Sequence, residues 1–212
     1  MIFGRFTTRV PDAREALPGR PLRSYDVPAT HAVLGTPLEG PIPAGHAELM
    51  VGTGCFWGSE RLLWQLPGVW STSVGYQGGS TPNPTYDEVC TGRTGHTEVV
   101  RIVYDPTVLT HHELLRWFWE NHDPTQGYRQ GNDVGTQYRS AVYVTSQEQR
   151  AVAETTRAQF QSVIDAAGYD PITTEILDAP DYYFAEGYHQ QYLFKNPHGY
   201  DCHSSTGLRL PD

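Results

Sequence analysis

The sequence predicts an α/β (α+β) protein, a two-layer sandwich whose elements follow the order β-α-β-β-α-β. Three observations predict it. Residues 96–104 alternate in polarity, so Glu98, Val100, Ile102 and Tyr104 share one face of a strand. Residues 47–53 read as a strand ending in small residues, and residues 56–66 then space Phe56, Glu60, Leu63 and Trp64 as a helix does. The words Thr110-His111-His112-Glu113 and Ser146-Gln147-Glu148-Gln149 are capping signatures that start two further helices.

Residues 1–46 hold seven prolines and no sustained periodicity, and read as an extended N-terminal arm wrapped on or trailing from a domain at 47–212. Strand 47–53 and helix 56–66 stop at Pro67-Gly68. An extended run covers 69–76, and a Gly/Pro-rich loop spans 77–95. Strand 96–104 ends at Asp105-Pro106. The helix at about 111–121 turns Leu114, Leu115, Phe118 and Trp119 inward. Strand 138–144, a long helix ending near Gly168 and a last strand at about 172–178 follow, and the tail after 179 reads as ordered but irregular. This order is that of a split βαβ, ferredoxin-like sandwich.

At 212 residues the chain suits one such domain with a substantial core. It carries a net charge of −9 and a single lysine, Lys195, so no basic stripe exists to neutralise phosphates and no nucleic-acid partner is expected. No apolar run approaches a membrane span and the N-terminus lacks a signal-like region, so no membrane partner is expected either. Cys55, Cys90 and Cys202 cannot form a secreted disulfide framework, which points to a reducing, cytoplasmic compartment.

Cys55 is the first candidate for chemistry. A thiol at a helix start feels unpaired backbone N–H groups and the positive end of the dipole, both of which favour the reactive thiolate. A small buried hydrophobe is the alternative. Phe56 and Trp57 behind it are either ordinary helix core or an apolar seat. Glu98, on the inward face of its strand, is either a desolvated neutral acid or a strand-end carboxylate facing water.

The words Gly54-Cys55-Phe56-Trp57-Gly58-Ser59-Glu60, Gly75-Tyr76-Gln77-Gly78-Gly79, Pro82-Asn83-Pro84-Thr85-Tyr86, Gly95-His96-Thr97-Glu98, Gly131-Asn132-Asp133-Val134-Gly135-Thr136-Gln137-Tyr138 and His189-Gln190-Gln191-Tyr192-Leu193 occur in that order. Together they cover roughly 47–200, and the chain closely resembles the peptide methionine sulfoxide reductase A (MsrA) family. The resemblance implies the same class of fold and a thiol-dependent reduction of methionine S-sulfoxide in oxidised proteins, peptides and the free amino acid. Thioredoxin or a low-molecular-weight thiol is the implied reductant. A monomer that needs no metal or other cofactor is expected.

On that resemblance Cys55 is the nucleophile, and Phe56 and Trp57 seat the S-methyl group. Glu98 is the proton donor, and Tyr86 and Tyr138 donate hydrogen bonds to the sulfoxide oxygen. Asp133 positions site groups or water, its alternative being an Asx-turn residue. Attack and oxygen loss leave a sulfenic acid, which Cys202 condenses to a disulfide. The tail departs from the family's pattern: Asp201 stands between Gly199-Tyr200 and Cys202, and no cysteine follows. Cys90 reads as a buried structural cysteine.

Three rivals are weaker. A zinc cluster of Cys202-His203 with His189 or His198 lacks recognisable ligand spacing. A thiol peroxidase has no use for the Phe56-Trp57 seat. A module that only binds oxidised methionine has no use for two redox cysteines.

Overall fold

The computed structural model describes residues 9–201 and 204–211. Strand β1 (Ala47–Thr53) leads into helix α1 (Phe56–Leu63), and strand β2 (Val69–Gln77) follows. Helix α2 (Tyr86–Cys90) precedes strand β3 (Thr97–Tyr104) and helix α3 (His111–Glu120). Strands β4 (Arg129–Gln130) and β5 (Asp133–Val134) form a small hairpin, and Thr136–Tyr138 wind a 3₁₀ turn. Strand β6 (Ser140–Val144), helix α4 (Gln147–Ala166), strand β7 (Glu175–Asp178), strand β8 (Tyr183–Phe184) and helix α5 (Tyr192–Lys195) complete the order.

The six-stranded sheet has the order β7-β6-β1-β3-β2-β8. Strands β1 and β2 both run antiparallel to β3, which lies between them, so α1 crosses over its own neighbour strand. β6 pairs antiparallel with β1, and β7 adds parallel to β6. The architecture is a mixed α/β fold. The period-2 alternation decides which face is buried. Leu49, Val51, Val74, Tyr76, Val100, Ile102 and Val142 pack with Leu63 of α1, Leu114 and Phe118 of α3, and Phe160 and Ile164 of α4. The other face carries a smaller cluster of Met50, Val99, Ala141 and Tyr143, covered by Ala179 and Tyr182.

Several boundaries differ from expectation for local reasons. Helix α1 stops at Leu63 because the next N–H groups reach back only three residues, Gln65 to Leu62 and Leu66 to Leu63, before Pro67. Strand β6 begins at Ser140 because Thr136–Tyr138 are wound in the 3₁₀ turn. Strand β7 covers only 175–178 of the expected run. Helix α2 interrupts a stretch that reads as loop, and β8 and α5 give the tail regular structure.

The described arm contains one isolated bridge, Thr30 to Pro37. It is pinned beside α2: the Arg20 guanidinium holds both Glu88 oxygens at 2.9 and 2.7 Å, and the Tyr25 hydroxyl reaches the carbonyls of Pro84 and Phe184. Among the described residues no helix is long and apolar enough to cross a membrane.

Candidate active site

The junction of β1 and α1 carries the thiol. Gly54 makes the turn at φ +92, and a Cβ there would lie 2.6 Å from the Cβ of Gln130. Only glycine lets the chain bend this way while the β4–β5 hairpin packs against it. Cys55 follows as the residue capping α1, 7% exposed. The first helical N–H, that of Phe56, donates to Glu98 Oε2 at 3.1 Å, which ties the helix start to the carboxyl.

Cys55, Phe56, Trp57, Tyr86, Glu98, Asp133, Tyr138 and Tyr200 line a cavity of about 170 Å³. Larger hollows elsewhere, of about 250, 510 and 720 Å³, contain none of them. Every residue singled out from the sequence as a site residue therefore meets at one place, except Cys202. Cys202 lies outside the described residues, as does the Cys202-His203 pair of the zinc alternative. Tyr200 joins the lining without having been expected there.

Burial pushes the Glu98 carboxyl up to about 8, and the nearby Asp133 charge pushes the same way, against the single Phe56 N–H that favours the anion. Glu98 is thus mostly a neutral acid at pH 7. Since Oε2 accepts from Phe56, the proton belongs on Oε1. Burial, then the Glu98 charge, also raises Tyr86 and Tyr138 well above the usual phenol range, so both stay protonated and able to donate. Asp133 Oδ1 accepts from the Tyr200 hydroxyl at 3.1 Å, while Oδ2 is buried without a partner among the described residues.

Trp57 is held on two sides. Its ring stacks on Tyr192 with centroids 3.9 Å apart, and its indole N–H donates to His189 Nδ1 at 3.1 Å. His189 also packs against Phe56 and Tyr86. Glu186 ties Tyr76 and Tyr86 together, accepting from the Tyr76 hydroxyl at 2.8 Å and the Tyr86 N–H at 2.7 Å. Arg61 of α1 forms an ion pair with Asp201, and so holds the tail beside the site. None of Tyr192, Glu186 or Glu60 was assigned a role from sequence, and His189 was named only as a ligand of the rival zinc cluster. His189, Tyr192 and Glu60 do sit in the words that carry the family resemblance, which was the available signal.

Cys90 corrects an expectation. It is not buried: it is an exposed residue at the end of α2, one helical turn from Tyr86. Its thiol is hydrogen-bonded to the Tyr86 side chain, yet desolvation pushes it up to about 11, with the Glu98 charge adding to that. It is therefore a thiol, not a thiolate, at neutral pH.

Comparison with known proteins bears on this geometry. The family profile described as peptide methionine sulfoxide reductase matches residues 47–210. Peptide methionine sulfoxide reductase MsrA of Azotobacter vinelandii is 59% identical over 202 residues, covering 95% of this chain and 93% of the relative. The MsrA of Salinispora tropica is also 59% identical, over 100% of this chain and 96% of its own. Among solved structures, methionine sulfoxide reductase A of Corynebacterium diphtheriae superposes with a TM-score of 0.83 at 50% identity, covering 96% of this chain and 100% of that one. Mxr1 from Saccharomyces cerevisiae in reduced form superposes with a TM-score of 0.67 at 34% identity, over 78% and 95%. With the profile over most of its length and such relatives along all of it, the chain belongs to the peptide methionine sulfoxide reductase family and is an oxidoreductase of the MsrA kind.

Proposed function

We propose that this chain reduces the S epimer of methionine sulfoxide in proteins and peptides, with Cys55 as nucleophile, Cys202 as resolving thiol, and thioredoxin or another thiol as reductant. The observation that carries the reading is the meeting of a helix-start thiol, a neutral carboxyl and two aromatic rings around one cavity.

The substrate's methyl group rests against Phe56 and Trp57, whose apolar faces exclude water. The Cys55 thiolate attacks the sulfoxide sulfur. As the S–O bond polarises, its oxygen takes hydrogen bonds from Tyr86 and Tyr138 and the proton from Glu98 Oε1. The hydroxyl then passes from the substrate sulfur to the Cys55 sulfur as the S–S bond made in the attack and the substrate S–O bond break, so methionine leaves and Cys55 is left as a sulfenic acid. The Cys202 thiol then attacks the Cys55 sulfur, water departs, and a Cys55–Cys202 disulfide remains. Two thiols of the reductant break this disulfide by exchange, returning both cysteines to thiols and leaving joined to each other as a disulfide. Methyl seat, acid and nucleophile fix three directions around a chiral sulfur, which is why one epimer is taken.

Turnover on the two separated epimers tests the reading. We expect activity on the S epimer alone, and its complete loss in Cys55→Ser, because a hydroxyl here is a far weaker nucleophile. Cys202→Ser should release about one methionine per enzyme and then stall unless a small thiol is supplied. Equal rates on both epimers, or turnover by Cys55→Ser, sinks it. A Cys55–Cys90 bridge found by mass spectrometry after one turnover moves the resolving role off Cys202.

A further inference from the structure

Residues 29–38 precede the stretch matched by the family profile, yet they reach the hydrogen bonds behind the site. The arm turns at His31: its backbone N–H reaches the Thr36 carbonyl at 2.8 Å, and its carbonyl receives the Gly35 N–H at 2.9 Å. Within this turn His31 Nδ1 accepts from the N–H groups of Val33 and Leu34 at 3.1 and 3.0 Å. A ring nitrogen that accepts carries no proton, so the neutral ring bears its proton on Nε2. Nε2 lies 2.9 Å from Thr72 Oγ1 and therefore donates to it. The Thr72 hydroxyl in turn donates to Glu60 Oε1 at 3.1 Å. The direction of every bond is fixed from the arm to the carboxylate.

Glu60, fully buried on α1, also receives the backbone N–H and the side-chain amide of Gln191, both at 2.8 Å. The side-chain carbonyl of Gln191 accepts from Ala32 N–H at 3.1 Å, so the arm grips the same glutamine directly. Gln191 has φ +48, a left-handed conformation that a residue with a side chain holds only when its surroundings impose it. Two residues before it stands His189, the acceptor of the Trp57 indole N–H; one residue after it stands Tyr192, stacked on the same indole.

We propose that His31 is a positioning residue for the reductase: the arm's turn sets the Thr72–Glu60–Gln191 bonds that hold His189 and Tyr192 against Trp57. The proposal rests on the reading of Trp57 as part of the methyl seat. His31 does not line the cavity and acts only through the others.

The test uses the full chain carrying His31→Ala, His31→Gln, whose amide keeps a donor toward Thr72, or Thr72→Val. Thr72→Val leaves the arm intact and suits a strand, so it serves should His31→Ala fail to fold. The first readout is hydrogen exchange of the Trp57 indole proton by NMR, assigned with Trp57→Phe. It should exchange about tenfold faster in His31→Ala and Thr72→Val and recover in His31→Gln. The second is kinetic: KM for a methionine sulfoxide peptide should rise roughly five- to tenfold with kcat within about twofold. In a Trp57→Phe background, which gives His189 no N–H to accept, adding His31→Ala should leave KM unchanged. Unaltered indole exchange in both His31→Ala and Thr72→Val overturns the proposal, as does an equal rise in KM on the Trp57→Phe background. An inactive wild type defeats the proposed reaction alone, because the indole readout does not depend on turnover.

Discussion

Two buried glutamates show how neighbours divide one desolvation effect into two roles. Burial is the first cause raising both Glu60 and Glu98. Glu60 recovers much of what it loses, from three hydrogen-bond donors and from Lys195, and reaches only about 7. Glu98 has the Phe56 N–H in its favour and the Asp133 charge against it, and reaches about 8. So Glu98 is the carboxyl that keeps a proton to give at neutral pH. If it is the acid, kcat/KM must fall as pH rises through about 8, since the group is spent once ionised. Glu98→Gln retains shape and a donor but has no proton to transfer. The first reductive step should slow by about 10²-fold or more, and the alkaline fall should vanish with it. Stopped-flow measurement of methionine release against pH checks both; a loss under about threefold moves the acid role to Tyr86 or Tyr138.

At the scale of elements, the junction of β1 and α1 sets where the thiol points. Gly54→Ala should cost about 2–4 kcal/mol, from the left-handed backbone and from the overlap with Gln130. Denaturant midpoints measure this, and a wild-type midpoint would mean the junction tolerates a side chain. Such elements were legible where periodicity or capping is long-range enough to see: β3, α3 and α4 follow from the alternation at 98–104, the box at Thr110 and the cap at Ser146, and β1 from a run ending in small residues. Helix α2 escaped because five residues carry no period, although Thr85 and Glu88 form a capping box that was readable. Cys55 and Glu98 stood out as candidates from a helix start and a strand's inward face, but the choice of role for them, and the two rings altogether, came from the family resemblance rather than from strand or helix geometry. The His189 bond and the arm's hold on Gln191 were not legible, because those bonds join residues more than a hundred positions apart, on no shared element.

For the whole molecule, the buried titratable groups fix the shape of stability against pH. His31, His96 and His189 are each 1% exposed, and burial holds them down to about 4 from an ordinary 6.5. Their contribution is complete above pH 6.5 and is lost as pH falls toward 4. Glu60 and Glu98 act oppositely: raised from 4.5 to about 7 and 8, they contribute fully below 4.5 and lose that as pH rises through those values. Between 4.5 and 6.5 three imidazoles outweigh two carboxyls and stability climbs; above 6.5 only the carboxyls still change, and it declines. The thermal midpoint should therefore peak near pH 6.5. From 7 to 8 Glu98 is the one of the five still titrating, at up to about 1.4 kcal/mol per pH unit. In Glu98→Gln the decline should stop at pH 7, and calorimetry across that single unit isolates the carboxyl without any substrate present. A variant that keeps falling from 7 to 8 as steeply as the wild type would mean Glu98 is already ionised at neutral pH, and that the proton given to the sulfoxide oxygen comes from elsewhere.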